Sequence, residues 1–179
     1  MLKKEKAILS LIDVQAKLHN VIHEKEKLED NLVRLVKGLQ VLEVPILWME
    51  QYPEGIGPTI PSLAELLTQQ QPLIKNCFSA CGLGSFNKEL IVSGRNQVLV
   101  CGTEAHVCVY QTVRDLLTEG FEVFLVTDAV GSRTASNRDM AIRIMEKMGA
   151  KLTTVEMALF EMLNESGTDQ FRRISRIIK

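Results

Sequence analysis

Three polar side chains in this sequence stand where an apolar run ends. Asp13 directly follows Ala7-Ile8-Leu9-Ser10-Leu11-Ile12, Lys75 closes Leu73-Ile74-Lys75, and Cys108 comes shortly after Val98-Leu99-Val100-Cys101. An aspartate so placed is either a turn or cap residue, or a general base whose acidity is adjusted by partial burial. A lysine ending an apolar stretch is either a snorkelling surface residue or a buried ammonium that favours the charged forms of a neighbouring carboxylate and thiol. Gly102 permits a sharp turn after the strand, and Cys108 falls about where a helix begins. There the unpaired N–H groups and the helix dipole stabilise a thiolate and lower the cysteine pKa. The same N–H groups can hold an oxyanion. The chemistry on offer is attack by sulfur on a carbonyl carbon.

The remaining thiols and histidines point to less. Cys101 lies within a strand and reads as a small buried hydrophobe. Cys77 and Cys81 are four apart, but the only histidines are His19, His23 and His106 and no second cysteine pair exists, so a closed zinc site is not expected. Both read as packing or site-lining thiols. His106, two residues before Cys108, is expected to turn away from it, because residues closing on a turn point apart. Glu50-Gln51-Tyr52-Pro53, following a strand, is either an ordinary polar loop or part of a pocket lining.

Short apolar runs alternating with helical segments must position these residues. Ala7–Ile12, Val44–Met49, Leu73–Lys75, Val98–Cys101, Val123–Val126 and Lys151–Thr153 read as six strands. Between them, Leu28, Leu32, Leu35, Val36, Leu39 and Leu42 form one stripe of a helix from about Lys25 to Leu42. Val109, Val113, Leu116 and Leu117 form another, closed by Gly120. Ser136 with Asp139, and Thr153 with Glu156, resemble capping boxes, the first opening a helix that ends at Gly149. Trp48 is expected in the core or as an apolar wall of the site, and the methionines at 140, 145, 148, 157 and 162 in packing within the chain. Continuously apolar strands separated by amphipathic helices imply an α/β fold: a three-layer α/β/α sandwich around a six-stranded, mostly parallel sheet. Sites in such folds lie beyond the carboxyl ends of the strands, where Asp13, Lys75 and Cys108 fall.

Length and composition suit one domain spanning 1–179: 46% of the residues are hydrophobic and 24% charged. The 21 basic and 22 acidic residues leave a net charge of -1, which argues against a dedicated nucleic-acid binder. No apolar run reaches the roughly 18 residues of a membrane span. The basic amphipathic run Phe171–Lys179 is expected to pack on protein rather than on lipid. No small-residue cleavage site follows Met1-Leu2-Lys3-Lys4-Glu5-Lys6, so a cytoplasmic location with free thiols is expected.

Taken together and in order, these pieces resemble the isochorismatase-like cysteine hydrolase family. The matching segments are Leu11-Ile12-Asp13-Val14-Gln15, Lys75-Asn76-Cys77-Phe78-Ser79-Ala80, Gly102 to Thr112, Val126-Thr127-Asp128-Ala129 and Ser132-Arg133. Glu50-Gln51-Tyr52-Pro53 with Gly57-Pro58-Thr59 is most similar to the isochorismatase domain-containing branch. The resemblance implies a Rossmann-like fold and an Asp13-Lys75-Cys108 triad that hydrolyses a small amide or related carbonyl compound through a thioester on Cys108. It further implies an oxyanion hole from the N–H groups of Glu104 and Cys108, with a cis peptide at Thr103–Glu104. Gln15, Glu50, Tyr52 and Phe78 would contact substrate, no cofactor or metal would be needed, and the chain would form a homo-oligomer.

Two departures narrow this. No histidine accompanies Glu50-Gln51-Tyr52-Pro53, unlike the Asp/His metal cluster of the family's nicotinamidases. Cys108 itself argues against cleavage of isochorismate, whose hydrolases generally lack that nucleophile. The alternative is a non-catalytic member that binds a small molecule or a protein partner. A dinucleotide-binding or phosphate-accepting role would need a Gly-x-Gly-x-x-Gly turn or a neighbouring acid beside Asp13, and the first strand is followed by neither.

Overall fold

The computed structural model describes residues 1–179. Its strands are β1 (Ala7–Ile12), β2 (Ile46–Gln51), β3 (Leu73–Lys75), β4 (Gln97–Thr103), β5 (Glu122–Gly131) and β6 (Lys151–Thr153). They form one sheet in the order β3-β2-β1-β4-β5-β6 with every pairing parallel. The helices are α1 (Ala16–His19), α2 (Lys25–Val41), α3 (Pro53–Ile56), α4 (Pro61–Ala64), α5 (Gly84–Ser93), α6 (Tyr110–Thr118), α7 (Ala135–Lys147), α8 (Val155–Leu163) and α9 (Asp169–Ile178). The sheet is wholly parallel where the sequence suggested mostly.

Alternation along the strands builds a core on each face of the sheet. Leu9, Leu11, Trp48, Leu99 and Phe124 meet Leu32, Leu35 and Leu39 of α2, Leu159 of α8 and Ile174 of α9. On the opposite face Ile8, Ile12, Met49, Val98, Val100 and Leu125 meet Phe86 of α5, Val113 and Leu116 of α6 and Met145 of α7. Each such side chain contributes about 1.5–3 kcal/mol by leaving water, and together they hold the strand ends in a fixed row. Trp48 lies in the first core as expected, its indole N–H donating to Thr59 Oγ1 at 2.7 Å. Met145 and Met162 are buried, whereas Met140 and Met157 remain exposed.

Three local details differ from the sequence reading. The hydroxyl capping α7 belongs to Thr134, which accepts from Asn137 N, and that capping α8 belongs to Thr154, which accepts from Met157 N. Ser136 is already inside α7, and Thr153 is the last residue of β6, so neither is placed to receive a first-turn N–H. Thirdly, β5 runs on to Gly131 through an irregularity: Val100 pairs with Leu125 but Gly102 pairs with Val130. Asp128 falls in that irregular stretch and is not at the strand end. Its Oδ1 accepts from Val155 N at the start of α8, and burial raises its carboxyl pKa.

Gly102 of β4 pairs with Ile12 of β1 and has a φ of +112°. A Cβ there would stand 2.0 Å from the Ile12 carbonyl oxygen, a backbone atom that cannot yield without breaking the β1–β4 pairing. Gly102→Ala is therefore expected to cost about 3 kcal/mol or more from overlap and left-handed backbone together. For a chain of this size that is a fall of roughly 10 °C in melting temperature, measurable by calorimetry.

Candidate active site

Three chain segments converge beyond the ends of the central strands. β1 terminates at Ile12 and Asp13 turns the chain with φ of 50°. Its backbone is pinned from both neighbours: Asp13 N donates to Met49 O, and Asp13 O accepts from Thr103 Oγ1 at 2.7 Å. β3 delivers Lys75, paired in register with Gln51 of β2. β4 delivers Cys108 through Gly102, Thr103, Glu104 and a turn of π-helix over Ala105–Val109 that runs into α6.

Lys75 and Asp13 form an ion pair of 2.7 Å with both side chains wholly out of contact with solvent. The ammonium also donates to Gln51 Oε1 at 2.7 Å, Phe78 O at 3.1 Å and Cys77 O at 3.3 Å. Those acceptors make burial of the charge tolerable, since an interior ammonium without them loses its hydration uncompensated. Gln51 is itself oriented by its Nε2 donating to Asn76 O at 2.9 Å, which fixes the oxygen end of the amide on Lys75.

Asp13 Oδ2 faces Lys75, while Oδ1 is buried with no hydrogen bond of regular geometry. Burial raises the Asp13 pKa above the usual carboxylate value. The Lys75 charge and hydrogen bond and the Cys108 thiol pull the other way, and Glu50 adds a small rise. The Cys108 thiol is pushed up to about 12, first by burial and then by the Asp13 carboxylate, with Lys75 opposing. This corrects the expectation of a thiolate stabilised by a helix N-terminus. Cys108 is buried in a π turn beside a carboxylate, where desolvation and like charge both favour the neutral thiol.

The backbone around Cys108 is irregular in a way that frees donors. The Thr103–Glu104 peptide is cis. The Glu104 carbonyl, which would take the Cys108 N–H in an α-helix, instead accepts from Val107 N at 3.0 Å and Val109 N at 3.3 Å. The Glu104 N–H, outside any regular element, donates to no other backbone group. π turns are rare and are frequently found at functional sites.

The other sequence candidates divide by what they touch. Gln15 is a buried staple: its Nε2 donates to Gln51 O and Gly57 O, and its Oε1 accepts from Gln51 N. Glu50 Oε1 accepts both the N–H and the hydroxyl of Thr59. These contacts hold the 50–59 segment in place, so Gln15 and Glu50 fix the wall of the site from within. Tyr52 and Phe78 are about half exposed. The Tyr52 ring folds over Gly55, where a Cβ would sit 2.2 Å from Cε1, and Tyr52 N donates to Lys75 O. Cys77 and Cys81 are free and partly buried, with burial raising the Cys81 thiol to about 12. His106 is engaged by Ser132 Oγ at 3.0 Å and Asn137 Nδ2 at 3.4 Å.

Two contributors gain a specific role from the structure. Gln51, readable from the sequence as loop or pocket lining, is set opposite Lys75 by β2–β3 pairing and accepts from its ammonium. Arg133 binds the Glu104 carboxylate through Nε at 2.9 Å and Nη2 at 3.3 Å. No three His, Cys, Asp or Glu side chains are grouped to share a metal ion, and no helix is long and apolar enough to cross a membrane.

Comparison with known proteins places this geometry in a context. The isochorismatase domain family matches residues 6–157. The mouse protein described as isochorismatase domain-containing protein 2A is 38% identical over 178 residues, covering 98% of this chain and 84% of that protein. A Caenorhabditis elegans structure named MAR1 ribonuclease superposes with a TM-score of 0.92 at 33% identity, over 99% of this chain and 91% of that one. The Escherichia coli YcaC product, described as an octameric hydrolase of unknown specificity, superposes with a TM-score of 0.94 at 25% identity, over 99% of this chain and 88% of that one.

Proposed function

The chain belongs to the isochorismatase family, and from that premise we propose that it is a cofactor-independent cysteine hydrolase of small amides or related carbonyl compounds. The observation that carries the reading is the division of labour within Asp13: Oδ2 is locked on Lys75 and Oδ1 is left buried without a partner, in a carboxyl close enough to Cys108 for each to shift the other's acidity.

The reaction runs in two halves. Cys108 Sγ attacks the carbonyl carbon while its proton passes to Asp13. The displaced π electrons collect on oxygen, held by the N–H groups of Glu104 and Cys108. Collapse of the tetrahedral species breaks the C–N bond, and Asp13 returns the proton to the departing amine, leaving a thioester. Water then gives its proton to Asp13 and attacks the thioester carbon. The second collapse releases the acid, and the proton on Asp13 restores the thiol. Lys75 keeps Asp13 oriented throughout and offsets negative charge as sulfur loses its proton. Because burial and the Asp13 charge favour the neutral thiol, proton transfer to Asp13 accompanies attack by sulfur.

The pH dependence follows from these directions. Asp13 must be ionised to act as base, so kcat/KM falls as pH drops through a pKa above the ordinary carboxylate value. On the alkaline side no thiol-controlled change is expected until close to 12. A profile of kcat/KM against pH with a thiol-like limb near 8–9 would contradict this arrangement. The substrate class is tested by incubating the protein with a panel of small amides and esters and measuring intact mass. An acyl adduct mapped to Cys108 supports the reading, and turnover independent of Cys108 sinks it. A structured RNA belongs in the same panel, because the C. elegans relative is named a ribonuclease. We further propose a homo-oligomer. The octameric relative supports it, as do Ile74, Phe78, Ile91 and Val92, large apolar side chains exposed on and after the β3 edge.

A further inference from the structure

Glu104 combines two properties that oppose each other. Its N–H is one of the two donors assigned above to the oxyanion, yet its side chain is a carboxylate, 9% exposed, and close enough to Cys108 to push the thiol up. A fixed negative charge at that point disfavours both the departing sulfur proton and the charge that gathers on the carbonyl oxygen. Arg133 meets it with two guanidinium hydrogen bonds, of 2.9 and 3.3 Å. The arginine is mostly exposed and comes from the bend after β5, far from Glu104 in sequence. The same stretch grips the Cys108 turn a second time, through Ser132 and Asn137 on His106. An exposed side chain reaching in to neutralise one nearly buried carboxylate beside the nucleophile is more than an ordinary surface pair.

We propose that Arg133 is a positioning residue of the active site: its ion pair with Glu104 cancels the carboxylate's charge next to Cys108 and orients the Glu104 peptide toward the oxyanion. The orienting half rests on the cysteine-hydrolase reading. The charge-cancelling half is measurable on the thiol alone, without a substrate.

The experiment compares alkylation of Cys108 by neutral iodoacetamide and anionic iodoacetate at low salt, with the site followed by peptide mass spectrometry. In either reaction an Sγ–CH2 bond forms, iodide leaves, and the thiol proton passes to Asp13 or solvent. Arg133→Gln is expected to lower the iodoacetate-to-iodoacetamide rate ratio about threefold, because the uncovered Glu104 charge repels the anion. A purely structural role would move both rates alike. Arg133→Lys, which keeps the charge, restores most of the ratio, and Glu104→Gln/Arg133→Gln together restore it by removing the carboxylate. Glu104→Gln alone raises the ratio, and this arm stands if Arg133→Gln proves unstable. A labelled Cys108 with an unchanged ratio in Arg133→Gln overturns the proposal alone. So does a ratio that stays low in the double variant, since Arg133 would then act on the reagent directly. A Cys108 that neither reagent labels in the wild type, even at a pH high enough to ionise the thiol, and that no amide or ester of the panel acylates, removes the hydrolase reading and this proposal with it.

Discussion

Cys108→Ala is expected to leave a folded protein with essentially no turnover. The side chain is small and buried, and alanine leaves at most a cavity of one sulfur atom against Ile12, Met49 and Val109, so stability should change by about 1 kcal/mol or less. Activity should fall by about a thousandfold or more, because no other group stands in line with Asp13 to form the covalent intermediate. Cys108→Ser separates nucleophile from geometry. The hydroxyl keeps the position but is far harder to deprotonate, and Asp13 is a modest base even with its raised pKa, so serine should be nearly as inactive as alanine. The measurement is turnover of whichever amide acylates the wild type, alongside intact mass. Retained turnover in Cys108→Ala would place the chemistry on another group.

The row of strand ends was readable from the sequence because the central strands β1 and β4 are buried on both faces and so appear as unbroken apolar runs. Asp13, Lys75 and Cys108 were conspicuous for breaking or ending apolar runs. What the sequence concealed were relations between residues distant along the chain. Gln51 reads as loop or pocket lining until β3 is laid beside β2 and sets it opposite Lys75. Arg133 and Glu104 belong to different strands' exits, and nothing in either segment announces the other. Gln15 and Glu50 sit near the right strand ends, and their hydrogen bonds to the 50–59 segment could not be read from chain order. The acidity of Cys108 was misjudged for a physical reason. Helix position alone predicts a stabilised thiolate, but the balance also includes desolvation and the charge of Asp13, which the chain order does not display. The capping hydroxyls were displaced by one or two residues because Thr134 and Thr154 stand beside equally plausible candidates, and backbone geometry decided between them.

The largest stability effect should come from separating Lys75 from Asp13. Lys75→Met fills similar volume and removes the ammonium, stranding a carboxylate that is wholly buried. Breaking a buried pair from one side costs about 3–5 kcal/mol. Its dependence on pH has a definite sign. Burial already raises the Asp13 pKa and Lys75 is the main force lowering it, so without Lys75 the folded-state pKa rises further above the unfolded value. The buried carboxyl is then tolerated below the unfolded pKa, and stability is lost as pH climbs through the folded one. Lys75→Met should thus come closest to wild-type stability in acid and fall furthest behind at neutral pH, as read from urea unfolding across a pH series. Asp13→Asn has the opposite fault, leaving an ammonium with Gln51 and two carbonyls but no counter-charge. Combining the two removes both stranded charges, and the cycle should show the single costs failing to add. A double variant as stable as the wild type yet inactive would mean that the fold does not need this ion pair. The pair would then be present to keep one carboxylate oxygen occupied and the other free for the sulfur's proton, which is the arrangement the proposed reaction requires. A double variant as unstable as the sum of the two would instead make the pair a structural element first, with its place beside Cys108 secondary.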